Sequence, residues 1–264
     1  MTMKLIFINL LIGAMSLYAI LNSAYKAATA LVAIALVAGV MTAHAADADY
    51  WDAEKAYARG DYATALPILR KIADNGGVLA QFRLGLMYHT GKGVTQDYKE
   101  ALRWYRKAAD KGYDGARFAV GSFYEKGYGV PQDYVEAVKW YRKAADQGNA
   151  DAQRDLGTLY FIGRGLNQDY ATARMWFRKA ADQGHATAQV QLGNFYDNGL
   201  GVTQDYVQAH MWFNLAAARS TDKEVREVAV DRRDRVAAKM TSQQIAKAQE
   251  MARRCEASKF KQCD

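Results

Sequence analysis

The chain is poor in the residues that most chemistry needs. Its 264 residues contain four histidines, two cysteines and two prolines. His44, His89, His185 and His210 are scattered, with no partner at ligand spacing, so a metal centre and a Ser-His-Asp or Cys-His relay both lack their ingredients. No cysteine falls between residues 46 and 254, which excludes a disulfide-stapled scaffold for that stretch. Cys255 and Cys263 sit together in the tail, where they either close a short disulfide loop or remain free or intermolecular thiols. Scarce proline leaves helices uninterrupted. Pro67 is the exception inside a helical pattern and is expected to kink it, whereas Pro131 lies in a loop. Charge of one sign is also modest. The net charge is +7, of which Lys4 and Lys26 supply two, so the rest of the chain carries about +5. Residues 221–264 hold eleven basic and eight acidic side chains in mixed order, as in Asp231-Arg232-Arg233-Asp234-Arg235, which reads as a solvated helix face. Nucleic acid is not an expected partner.

Long apolar runs are confined to the first 45 residues. One spans Leu5–Leu21 and another Ala27–Thr42, and the second ends in Ala43-His44-Ala45 before Ala46. A lysine, an apolar stretch and an A-x-A ending describe a bacterial export signal cleaved near Ala45/Ala46. Residues 1–45 are therefore expected to be a signal peptide, carrying an extra apolar segment if the chain starts at Met1 rather than Met15. If Leu5–Leu21 is retained, it is close to the minimum length for a membrane span. The expected location is periplasmic or secreted, with membrane contact only in that second case.

What dominates the remainder is a 36-residue period. It links Gly85, Gly121, Gly157 and Gly193, and likewise Trp104, Trp140, Trp176 and Trp212. It links Tyr88 to Tyr196, Gly91 to Gly199, Gly93 to Gly201, Asp97-Tyr98 to Asp205-Tyr206 and Ala108-Ala109 to Ala216-Ala217. A shorter copy precedes them, with Asp61-Tyr62, Ala65, Ala73 and Gly76 in register. The repeats are read as 50–77 (short), 78–113, 114–149, 150–185 and 186–220, followed by capping helices and a tail over 221–264.

Each copy reads as two helices. In 78–112, Ala80, Leu84, Met87 and Tyr88 share one face of the first. A glycine-bearing loop follows, Asp97 starts the second helix, and Ala101, Trp104, Tyr105, Ala108 and Ala109 share its buried face before Gly112 ends it. Glycine inside the first helix costs about 1 kcal/mol against alanine. Its fourfold recurrence predicts close approach of a bulky side chain from the second helix, for which the tryptophan is the first candidate. One helix pair cannot bury such a stripe, so neighbours must stack. The fold class expected is all-α: a right-handed α-α superhelix (solenoid) of about five helix-pair repeats plus C-terminal capping helices.

These residues resemble the Sel-one-like repeat (SLR) family, a relative of the tetratricopeptide repeat, whose pattern is roughly A-x-x-x-L-G-x-x-Y-x-x-G-x-G-V-x-x-D-x-x-x-A-x-x-W-Y-x-x-A-A-x-x-G. Ala80–Gly112 matches every fixed position, and Ala116–Gly148 departs only at Val120, which stands for the leucine. Later copies substitute Leu166 for the valine, Phe177 and Phe213 for the tyrosine, and Ser220 for the last glycine. The resemblance covers about residues 50–220 and implies an adaptor or scaffold without a cofactor. A cysteine-rich secreted branch of the family is associated with β-lactam binding and hydrolysis. That branch carries a cysteine pair in each repeat, and this chain has none there.

Function is sought where the copies disagree. On the first helices, the arc opposite the recurrent positions reads Phe82, Leu86 and His89, then Phe118, Ser122 and Glu125, then Arg154, Thr158 and Phe161, then Val190, Asn194 and Asp197. First helices line the concave side in related superhelices, so this arc is the expected groove for a protein or peptide ligand, with Phe82, Phe118, Arg154 and Phe161 as anchors. The alternative is that the phenylalanines only fill gaps between repeats. The rival function is an envelope hydrolase or β-lactam-binding protein on the same repeats.

Overall fold

A computed structural model describes residues 48–261 and 263. The expected signal segment lies outside them. Among the described residues there are helices and no strand. No described helix is long and apolar enough to cross a membrane.

The N-terminal unit, to Ile72, holds a helix α1 over residues 48–58 and most of α2 (Tyr62–Asp74). Ala53, Ala56, Ala65 and Leu69 are its buried residues. Asp61 accepts from the Thr64 amide at 3.1 Å, capping α2, which runs through Pro67 without a break.

In the C-terminal unit, residues 78–220 form an all-α repeat superhelix. Its pairs are α3 (Val78–Thr90) with α4 (Tyr98–Asp110), α5 (Asp114–Lys126) with α6 (Tyr134–Ala145), α7 (Ala150–Ile162) with α8 (Tyr170–Ala181), and α9 (Ala186–Asn198) with α10 (Tyr206–Arg219). Each second helix also packs on the first helix of the next pair, so the apolar stripes pool into a continuous core. Asp97, Asp133, Asp169 and Asp205 cap the second helices as expected. Gly91, Gly127, Gly163 and Gly199 end the first helices in the left-handed region, which a side chain would strain.

The recurrent mid-helix glycine does mark a close approach, but not to the tryptophan. A Cβ on Gly121 would lie 2.7 Å from the Tyr141 ring, and one on Gly85 2.5 Å from that of Tyr105. Phe177 and Phe213 fill the same place against Gly157 and Gly193. The residue after each tryptophan is thus the one that enters. The tryptophans lie beneath cations instead: Lys107, Lys143 and Lys179 sit 4.0–4.2 Å from the rings of Trp104, Trp140 and Trp176, and Arg178 covers Trp212. Trp104, Trp176 and Trp212 are buried, while Trp140 is half-buried.

Two polar clamps recur along the stack. Gln81, Gln153 and Gln189 are buried and donate to the carbonyls of Ala73, Ala145 and Ala181, at the end of the preceding second helix. Arg117 does the same to Ala109. In the loops, Gln96, Gln132, Gln168 and Gln204 donate at 2.6–2.7 Å to the carbonyls of His89, Glu125, Phe161 and Asp197. They satisfy helix-end acceptors that would otherwise be orphaned.

After Ser220 the chain forms α11 (Lys223–Ala237) and α12 (Ser242–Ala257), both packed on α10. Ala229, Val236, Ala248, Ala252 and Cys255 are buried. The pair stands in for a further repeat. Lys239, just past α11, lies over Tyr206 as Arg164, just past α7, lies over Tyr134. Cys255 and Cys263 form a disulfide, both buried in one cluster with Phe260.

Candidate functional site

The variable arc does not form one uniform groove. Its middle section opens as a cleft of about 920 Å³ across α3, α5 and α7. Phe82 and His89 come from α3, Phe118, Ser122 and Glu125 from α5, and Arg154 from α7. These six expected site residues are brought together because α3, α5 and α7 hold the same place in successive pairs.

The other six are elsewhere. Leu86 and Thr158 are half-buried outside the cleft. Phe161 packs on Tyr170 and Phe195, each at 5.6 Å between ring centres, filling space between repeats. Val190 is buried against the cluster that contains Ala229 and Val236 of α11. Asn194 accepts from Arg232, and Asp197 pairs with Lys239 at 3.0 Å. The C-terminal helices therefore cover the arc of the last repeat, as the next first helix would have done.

The cleft is aromatic at one end. Phe82 sits 5.5 Å from Tyr105 and 5.0 Å from Tyr113, and Gly115 and Ala119 leave room beside it. Phe118 lies 5.6 Å from Tyr141. His89 meets Phe123 edge-on at 5.0 Å, and burial, helped by the nearby Lys126 charge, holds its pKa below the usual value. The gap-filling alternative is thus also visible: Phe82 and Phe118 touch their own second helix while they line the opening.

The polar end was not foreseen as a unit. Tyr141 belongs to the core stripe, yet its hydroxyl reaches the cleft and donates to Glu125 Oε2 at 2.5 Å. Asp155, at the edge of the variable arc, also lines it and pairs with the adjacent Arg154. Burial pushes Asp155 up to about 6, opposed by Arg154 and reinforced by the charges of Glu125 and Asp151. Burial and the two carboxylates, Asp155 and Glu125, raise the Tyr141 phenol above its ordinary range. Ser122 also hydrogen-bonds this phenol, so Ser122, Tyr141 and Glu125 form a chain. It is poorly suited to nucleophilic catalysis, because a phenol held protonated by two neighbouring carboxylates is a weak acceptor for the serine proton. Among the described residues no group of three or more His, Cys, Asp or Glu is placed to hold a metal ion.

The Sel1 repeat pattern matches residues 78–113, 115–149, 150–185 and 186–220, more than half of the chain. The chain belongs to the Sel1 repeat family. A Sel1 repeat protein from Oxalobacter formigenes superposes with a TM-score of 0.64 at 32% identity, over 76% of this chain and 84% of that one. The protective antigen c5321 of uropathogenic Escherichia coli strains, which displays an SLR fold, is 26% identical over 81% of this chain and 62% of its own, with a TM-score of 0.38. The immunity protein Pa5087 from Pseudomonas aeruginosa is 22% identical over 72% of this chain and 81% of that one, with a TM-score of 0.45. No curated protein matches the chain. Sel1 repeat proteins are generally protein-interaction scaffolds. In this Sel1 array the recurrent residues build the stack, and residues that differ between copies supply most of the cleft lining, joined there by the recurrent Gln132, Tyr134 and Tyr141.

Proposed function

We propose that this protein is a non-catalytic adaptor of the bacterial envelope or secreted space, which binds a peptide or protein partner in the α3–α5–α7 cleft. The observation that carries this reading is the cleft itself. It is aromatic at one end and polar at the other, and most of its lining comes from the arc that the repeat leaves free to vary. Large rigid aromatic surfaces beside a few fixed polar groups are what peptide anchors need. Photo-crosslinking tests it. A benzophenone side chain placed at Ala119 in the cleft is expected to trap a discrete partner in cells, and one at Lys143 on a second helix is not. Equal trapping at both positions sinks the assignment. The A-x-A ending at Ala45 supports export. N-terminal sequencing of protein recovered from the periplasm or medium should begin at Ala46. Protein that keeps Met1 or Met15 and stays in the cytoplasm overturns the location.

A further inference from the structure

The cleft also carries information about what enters it, and this step rests on the reading of the cleft as the docking surface. Its polar end is short of positive charge. Among the described residues no cation pairs with Glu125, whose hydrogen-bond partner is the Tyr141 hydroxyl. Arg154 is engaged with Asp155. The floor therefore holds two carboxylates against one guanidinium. Lys126 stands at the exposed rim, 5.7 Å from the Tyr128 ring. The same position one end further along shows what this chemistry accepts. Asp197, which corresponds to Glu125 two repeats later, is met by the ammonium of Lys239, and that ammonium also lies 5.0 Å from the Tyr206 ring. The apolar end lies beside this floor, where Phe82 and Phe118 flank the space left by Gly115 and Ala119.

We infer that the cleft takes a peptide segment that presents a lysine or arginine to Glu125 and Asp155 and, next to it, an aromatic or branched apolar side chain to Phe82 and Phe118. The cation neutralises the unpaired carboxylate, and the apolar neighbour covers the phenylalanine faces and removes them from water. Protonation of Asp155 removes one of the two charges, so binding should weaken on acidification. The groups that face Asp155 are Glu125 on α5, Tyr141 on α6, Asp151 and Arg154 on α7, and His185 at the start of α9.

Fluorescent dodecapeptides carrying one tryptophan and, two positions away, lysine, glutamine or glutamate test this by anisotropy with the exported full-length chain. The lysine peptide should bind about tenfold more tightly than the glutamine one, and the glutamate peptide least. Glu125→Gln should erase most of that preference. Between about pH 7.5 and about pH 5 the lysine preference should shrink. If all three peptides bind alike and Phe118→Ala abolishes binding, the cleft is the docking surface but the inferred charge is wrong. If the lysine preference survives both Glu125→Gln and Phe118→Ala, the peptide sits elsewhere and the cleft reading fails with it. If none of the three binds, the inference is overturned as well.

Discussion

Asp155 shows how one side chain can work against the fold that holds it. Its carboxyl is mostly buried and is pushed up to about 6, above the ordinary carboxylate value. A raised carboxyl pKa means the folded state holds the proton more tightly than the unfolded one. Its stabilising contribution is complete below the unfolded value and is lost as the pH rises through about 6. At neutral pH the ionised group then costs about 3 kcal/mol. Asp155→Asn should therefore raise the thermal midpoint by several degrees at about pH 7.5 and have little effect below about pH 4. Thermal scans by circular dichroism at the two pH values check this, and equal effects at both would refute it. Gly121 makes the opposite case. Alanine is the better helix former, but its Cβ would lie 2.7 Å from the Tyr141 ring. Gly121→Ala should destabilise by about 1–3 kcal/mol, and Tyr141→Leu should recover part of that in the double variant, measured by urea unfolding.

At the scale of the helix pair, what joins one element to the next is as much polar as apolar. Gln153 is buried, donates to the Ala145 carbonyl at the end of α6 at 3.0 Å, and accepts from Gln183 at 2.8 Å. Gln153→Leu keeps the volume but orphans a helix-end carbonyl and a neighbouring amide. The expected loss is about 1–3 kcal/mol, and hydrogen exchange should show it as faster opening at the α6–α7 junction. The loop glutamines act on the functional side. Gln132 donates to the Glu125 carbonyl at 2.7 Å and to the Tyr134 hydroxyl at 3.1 Å, so it ties the end of α5 to the loop beneath the cleft. The Gln-Asp-Tyr triplet recurs at the repeat period and is plain in the sequence. Its aspartate reads at once as a cap, because capping is local chemistry. Its glutamine does not, because the acceptor lies seven residues back across a loop.

Across the C-terminal unit, an open repeat stack needs its last face covered. Here α11 and α12 provide the cover, with Val236 and Ala229 packed in the cluster of Val190, and Phe260 held beside the Cys255–Cys263 disulfide. A chain ending at Ser220 would expose this surface. It should aggregate or lose order in α9 and α10 first, which limited proteolysis can locate. Replacing both cysteines by serine removes the closed loop, and the cost should be a few kcal/mol or less because the loop is short. The cover also decides which part of the variable arc is available. Asn194 and Asp197 are taken by Arg232 and Lys239, while Phe118, Ser122 and Glu125 line an open cleft.

The all-α class, the helix pairs, the aspartate caps and the buried alanine and leucine faces were determined by the sequence alone. They follow from a local period repeated within one chain, and neighbouring copies impose it on one another. The tertiary structure decided three things that the repeat period does not carry. It chose the residue after the tryptophan to fill the glycine notch, since the direction of a side chain depends on how two helices cross. It divided the variable arc into an open cleft, a filled seam and a covered end, since that depends on what stands next in the stack. And it joined Tyr141 and Asp155, one from a core stripe and one from the margin of the arc, into a single polar floor, because side chains of successive helices meet only once those helices are packed against one another.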